Sequence, residues 1–366
     1  MHRIDNWAVE TDLISPLSWD DHLGFFPVDA VFEPGVRVTD SVANILLTGG
    51  GGFIGSHLAE ALLRRHHPLA IVDNLNESYP AARKRSNLED VGLAGDFHLH
   101  ACDIRDFQKL RAVFNQARPS VVIHLAALTG VRPSIEWPLE YEQVNVAGTA
   151  NILELCREFH VKKLVFGSSS SVYGATSTAP FSEGHVELRP ISPYAATKLS
   201  NELMCYTYSH LFGLPVNCLR FFTVYGPRQR PDMVIFKFTA SLDAGTPLAI
   251  FGDGQTGRDY TYVDDIVSGI LGALSFEPRN SSGVPFEIFN LGNSTPIKLN
   301  ELIEHLERAT GRRAIRQQMP MQPGDVPLTW ADISKARRLL GYQPATPLEE
   351  GLRRFVAWYR SVSLAR

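Results

Sequence analysis

The sequence predicts an α/β protein, a Rossmann-like doubly wound parallel sheet with a smaller mixed α/β C-terminal lobe for the substrate. Three observations carry this expectation. From Asn44 onward short apolar runs alternate with helix-like stretches, the order that builds a parallel sheet covered by helices. The first run breaks into a glycine cluster leading to a helix-like stretch, and the second ends on a carboxylate. Beyond Phe222 the turn residues thicken, with Pro227, Pro231, Gly245, Pro247, Gly252, Gly254 and Gly257 close together, and there the second lobe begins.

The elements follow in order. Residues up to about Ser41 mix Trp7, Trp19, Phe25 and Phe26 with Pro16, Pro27 and Pro34. They are too aromatic for ordinary disorder and show no clean period, so an extension draped on the body is expected, with a lid or dimer contact as the alternative. Strands are expected at Ile45 to Thr48, Leu69 to Val72, Val121 to Leu125, Lys163 to Ser168 and Val216 to Phe222, largely apolar as burial on both faces requires. Helical periodicity at Leu299 to Thr310 and Leu348 to Arg360, with a loop from Pro320 to Pro327 between them, completes the second lobe.

Composition excludes several classes of function. The 366 residues are 44% hydrophobic and 20% charged, enough apolar material for a full core. With 39 acidic against 35 basic residues the net charge is −4, and no run of like charge offers a surface that tracks phosphates, so nucleic acid is not an expected partner. Cys102, Cys156, Cys205 and Cys218 form no CxxC pair, which suggests neither a metal site nor a redox motif and fits a reduced, cytoplasmic chain. The start carries Asp5, Glu10 and Asp12 without a signal-peptide core, and no stretch reaches membrane-spanning length. A soluble, unprocessed protein without a membrane partner is the expectation.

The chemistry begins at the glycines. Thr48, Gly49, Gly50, Gly51, Gly52, Phe53, Ile54 and Gly55 follow the first strand and lead into the amphipathic stretch Ser56 to Arg65. Gly49 suits the tight turn, Gly52 lets backbone approach a pyrophosphate, and Gly55 lets helix and strand pack closely while the helix start faces the anion. This is a dinucleotide loop. Asp73, followed by Asn74, stands at the tip of the next strand, where a carboxylate accepts from a ribose hydroxyl and repels an extra phosphate, so NAD is favoured over NADP. Asp103, beside Ile104, sits similarly before a helix, and a plain helix cap is an equal reading of it.

Ser192 and Pro193 read as a helix start. Tyr194 and Lys198 then lie one turn apart on one face, where an ammonium beside a phenol draws an intrinsic pKa of ~10 toward working pH. Tyr194 is thereby a candidate proton acceptor from an alcohol. The run Ser168, Ser169, Ser170, Ser171, Val172, Tyr173, Gly174 follows a strand, placing hydroxyls at the sheet's carboxyl edge, where ligands of such folds bind. His66, His67, His98 and His100 have no comparable setting and are read as structural or surface residues.

From Asn44 to Arg360 the chain resembles the extended short-chain dehydrogenase/reductase family, in its NAD-dependent nucleotide-sugar epimerase branch. The resemblance rests on TGGGGFIG, Asp73, the HLAA run from His124 through Leu125, Ala126 and Ala127, Asn145, SSSSVYG and YAATK, in the family's order and spacing. It implies that Tyr194 is the base, that Lys198 also holds the nicotinamide ribose, and that Ser169 is the hydroxyl partner. It adds Phe53, Ile54, Leu125, Ala126, Ala127, Asn145, Ser168, Phe221 and Val224 to the cofactor contacts, and it implies a homodimer.

Within the family the serine loop discriminates. Dehydratases carry an Asp-Glu pair, and uronate decarboxylases a Glu, before Val-Tyr-Gly, whereas here Ser170 and Ser171 stand there; the resemblance therefore implies simple return of hydride, as in 4-epimerases. The run Arg220 to Met233, with Thr223 and Arg230, resembles the version found in UDP-glucuronate 4-epimerases. An arginine suits a uronate, because a guanidinium pairs a carboxylate through two parallel hydrogen bonds; the alternative is that Arg228 and Arg230 solvate a loop. By the same resemblance Arg258 contacts the diphosphate, Asp325 the ribose, Leu248 to Phe251 the uracil, and Gln322 stands where UDP-galactose epimerases tend to carry Arg.

The expected division is 1–41 as extension, 42–222 and 259–291 as the NAD-binding domain, and 223–258 and 292–366 as the UDP-sugar-binding domain. The alternatives are a UDP-glucose or UDP-N-acetylglucosamine 4-epimerase, a UDP-glucuronate decarboxylase and, outside catalysis, an NAD- or UDP-sugar-sensing protein.

Overall fold

The computed structural model describes residues 42–366 apart from 77–80, 176, 177, 186, 281, 321–325, 365 and 366. The N-terminal extension and the two nucleotide-loop residues Gln322 and Asp325 lie outside the described residues.

Twelve strands are described, in chain order β1 (Ile45–Thr48), β2 (Leu69–Val72), β3 (His98–His100), β4 (Val121–His124), β5 (Lys163–Ser169), β6 (Val216–Phe221), β7 (Thr223–Tyr225), β8 (Leu248–Phe251), β9 (Gly257–Tyr262), β10 (Phe286–Leu291), β11 (Pro296–Lys298) and β12 (Arg316–Met319). Seven form one parallel sheet in the order β10-β6-β5-β4-β1-β2-β3. Ile45 and Leu47 of β1 face one apolar cluster while Leu46 faces the other, so successive side chains go to opposite, helix-covered faces. That explains why the central strands β1, β2 and β4 carry apolar residues at successive positions.

The chain runs outward from β1 to β3 and then returns to β4 on the other side of β1. The ends of β1 and β4 therefore diverge into a crevice, the place where such sheets receive ligands.

β7, β9 and β11 form a small mixed sheet, and β8 pairs with β12 in a parallel two-stranded one. β9 straddles the expected boundary at 258/259 and pairs with β7 and β11, both on the substrate side of that division. The apolar cluster on one face of the large sheet continues through Ile266 to Leu302 and Phe355, joining the elements of both lobes through a shared core. Among the described residues no helix is long and apolar enough to cross a membrane.

Candidate active site

The glycine loop is shaped by sterics that only glycine satisfies. Gly49 has φ +76°, and a Cβ there would stand 2.8 Å from the Ala126 nitrogen, so the β1 turn closes directly on the chain leaving β4. A Cβ on Gly55 would come 2.1 Å from the Gly49 carbonyl oxygen. Gly52 caps the helix Phe53–Leu63 without any side-chain bond of its own, which leaves the helix start facing the crevice between β1 and β4. These are the features that a pyrophosphate cradle requires, and NAD fits them.

Asp73 continues β2 and is almost fully buried. Its carboxylate accepts from the Gly51 nitrogen at 3.0 Å, the Leu75 nitrogen at 2.8 Å and Lys84 Nζ at 3.2 Å. A carboxylate has about four lone-pair sites, so room for one further donor remains. Lys84 was not foreseen from sequence; it ion-pairs with Asp73 and also bonds Asn76. Asn74 donates to Asp103 at 2.9 Å. Asp103 pairs with Arg105, whose hydrogen bond holds the carboxyl down at about 2. The helix cap is Asp106, which accepts from the Lys109 nitrogen at 3.1 Å, so the reading of Asp103 as a helix cap is corrected by three residues. Ile104 is buried beneath it.

Leu125, Ala126 and Ala127 leave β4 half-buried. Asn145 lies in a single π-helical turn, Glu142–Ala147, and spends its amide on the protein: it bonds the nitrogen and oxygen of Leu128 at 2.8 and 2.9 Å, and Thr197 Oγ1 at 3.1 Å. It thereby ties the loop after β4 to the Tyr194 helix. His124 bridges Thr48 and Thr149 at 2.6 and 3.1 Å. Burial pulls its imidazole down to about 3, so it sits there neutral. His67 holds the backbone of Ala43 at 3.1 Å, a structural task.

Ser192 caps the helix Pro193–Phe212, accepting from the Ala195 nitrogen at 3.2 Å, with Pro193 in its first turn. Tyr194 and Lys198 lie one turn apart on its buried face. Ser169 ends β5, with its Oγ 3.1 Å from Ser171 Oγ. Burial pushes the Tyr194 phenol up, while Ser169 and the Arg230 charge pull it down.

The Lys198 Nζ donates to the Gly167 carbonyl at 2.7 Å and lies 4.9 Å from the Phe166 ring centre. Burial lowers the ammonium to about 8. The cation that acts on Tyr194 is Arg230.

Arg230 is mostly buried and closes on Asp232 through two parallel bonds, Nε to Oδ1 at 2.9 Å and Nη2 to Oδ2 at 2.8 Å. Arg228 is anchored to Glu60 and Asp90 at 2.5 and 3.1 Å. Neither arginine simply solvates a loop. Met233 caps the helix Val234–Ala244, and its sulfur accepts from Gln229 at 3.5 Å.

Ser170, Ser171, Thr223 and Arg258 line one cavity of about 150 Å³, together with Phe181 and Thr329. Phe251 ends β8, with the Arg132 guanidinium 4.8 Å from its ring centre. Phe221 and Val224 stand at the end of β6 and in β7. A larger cavity of about 450 Å³, beside β10 and lined by Glu183, Glu287, Asp332, Lys335 and Arg338, contains none of the expected site residues.

Sequence reasoning also missed a buried carboxylate. Glu202, one turn beyond Lys198, accepts from Ser168 Oγ at 2.5 Å and from Arg220 Nε and Nη2 at 2.9 and 2.7 Å. Breaking such a buried pair typically costs ~3–5 kcal/mol, so it locks β5, β6 and the helix next to Ser169. An arginine inside the buried strand VNCLRF was the available signal, because a buried cation needs a carboxylate.

A family model described as GDP-mannose 4,6 dehydratase matches residues 46–355. A UDP-glucuronate 4-epimerase of Thermodesulfobacterium geofontis (strain OPF15) is 45% identical over 314 residues, covering 86% of this chain and 95% of the relative. The crystal structure of UDP-glucuronic acid 4-epimerase from Bacillus cereus with UDP-glucuronic acid and NAD superposes with a TM-score of 0.80 at 37% identity, covering 87% of this chain and 99% of that one. A UDP-glucose 4-epimerase from Thermotoga maritima with UDP-glucose gives 0.80 at 33% identity over the same shares.

Proposed function

The chain belongs to the family described as GDP-mannose 4,6 dehydratase, within the nucleotide-sugar branch of the extended short-chain dehydrogenases/reductases, and from that premise we propose that it is an NAD-dependent UDP-glucuronate 4-epimerase. The observation that carries this reading is a mostly buried guanidinium, Arg230, whose charge pulls down the phenol of Tyr194. A neutral sugar gives such a group nothing to pair with, whereas a uronate does.

In this reading Gly49, Gly52, Phe53, Ile54 and Gly55 hold the pyrophosphate of NAD, Asp73 holds a ribose, and Asn74, Asp103, Ile104, Leu125, Ala126, Ala127, Phe221 and Val224 line its course. NAD, when bound, supplies the reversible redox capacity for a redox-neutral inversion. Tyr194 takes the proton from the hydroxyl on carbon 4, and Ser169 keeps the phenol and that hydroxyl in line. Lys198 holds the nicotinamide ribose while fixed to the strand carbonyl of Gly167. Arg258, with Asp325 and Gln322, anchors the UDP moiety, Phe251 lies against uracil, and Ser170, Ser171, Thr223 and Met233 surround the sugar.

The ketone formed at carbon 4 is beta to the carboxylate, an arrangement that loses carbon dioxide readily. Arg230 is assigned the task of holding the carboxylate away from alignment with the carbonyl π system, an orientation effect. Ser170 and Ser171, standing where dehydratases and decarboxylases of the family carry acids, offer no proton for elimination or for quenching an enolate. The direct test is relative kcat/KM: UDP-glucuronate should exceed UDP-glucose and UDP-N-acetylglucosamine by at least about 100-fold, and a preference for a neutral sugar would reject the assignment.

A homodimer in the cytoplasm completes the reading. Leu203, Tyr206 and Leu211 leave apolar surface exposed along the helix Pro193–Phe212, and all four cysteines are free and buried. Light scattering should return twice the 40.6 kDa chain mass; a monomer mass at micromolar concentration would contradict the dimer.

A further inference from the structure

We infer that Asp232 is a specificity-determining residue, an internal carboxylate that holds the Arg230 guanidinium until the carboxylate of an acidic sugar takes its place. This rests on the assignment of UDP-glucuronate and deepens it.

The geometry is that of a stand-in. Asp232 meets Arg230 with both oxygens, at 2.9 and 2.8 Å, the same fork-on-fork arrangement that a uronate would make. The two partners differ in freedom. The Arg230 side chain is 19% exposed, whereas that of Asp232 is 46% exposed. Arg230 is also held in the electrostatic company of Tyr141 and Tyr194. Asp232 faces water on one side, so solvent can take over its oxygens as it leaves. Pro231 lies between them and restricts the backbone, so Asp232 stays within reach and closes again when the acid departs.

One carboxylate replaces another on one guanidinium, so Arg230 is paired in both the bound and the closed arrangements. A neutral sugar hydroxyl cannot displace Asp232, because it offers a dipole against an ion pair already made. The closed pair thus sets how tightly an acid is held, because the affinity for the acid is the difference between two similar bonds, while a neutral sugar binds with the pair still closed.

The test is Asp232→Asn in the full-length protein, with calorimetric titration of UDP-glucuronate and of UDP-glucose. Asn keeps the size and one acceptor but removes the competing charge. The Kd for UDP-glucuronate should fall about three- to tenfold, while that for UDP-glucose stays within about twofold of the unaltered protein. Unchanged or weaker UDP-glucuronate binding would overturn the inference, as would equal tightening of both ligands. If the unaltered protein fails to bind UDP-glucuronate, the substrate assignment falls together with this inference; the other outcomes strike this inference alone.

Discussion

Tyr194→Phe should lower kcat for UDP-glucuronate by about 1000-fold, within the range for loss of a positioned acid–base group, while Kd for UDP-sugars stays within about twofold. The change removes one oxygen. The ring keeps its edge-on contact with Tyr141, at 6.3 Å between centres, so the helix Pro193–Phe212 has no reason to move. Ser169 remains, but a serine hydroxyl near neutral pH is a poor proton acceptor, and its bonds run to Ser171 at 3.1 Å. A variant that keeps more than a tenth of the activity would mean that the proton leaves by another route.

Arg230→Ala should have two effects that together identify its role. Binding of UDP-glucuronate should weaken by about 100-fold, the scale of truncating one partner of a buried charge pair, whereas UDP-glucose binding should change little. The products should also shift, with UDP-pentose and carbon dioxide appearing, because the 4-keto acid is no longer held out of alignment. The fold should tolerate the change: Asp232 loses its partner but is already half exposed and can be solvated. A fall in kcat is expected too, since Arg230 is the cation that draws the buried phenol down. Calorimetry and NMR of the product mixture check both effects, and unchanged affinity with an unchanged product ratio would remove Arg230 from the account.

What could be read in the sequence was whatever local spacing determines. The glycine turn, the apolar strands β1 and β2, the Ser192 cap and the one-turn offset of Tyr194 and Lys198 depend on neighbours in the chain, and the structure has each of them. What could not be read depends on where side chains end in space. Lys198 shares a helix face with the phenol, and its long chain runs to the Gly167 carbonyl of β5. Lys84 reaches Asp73 from a helix 11 positions away, and Glu202 meets Arg220 across 18. Periodicity carries no information on such pairs. Asp232 was closer to legible: two residues after Arg230, it is a local partner for the guanidinium.

The most direct measurement is to incubate the protein with UDP-glucuronate deuterated at carbon 4 and follow the products by NMR. The account predicts UDP-galacturonate that retains the deuterium at carbon 4, in mixture with the starting sugar and with little UDP-pentose. Loss of the label to solvent, dominant release of carbon dioxide, or no conversion at all would contradict it.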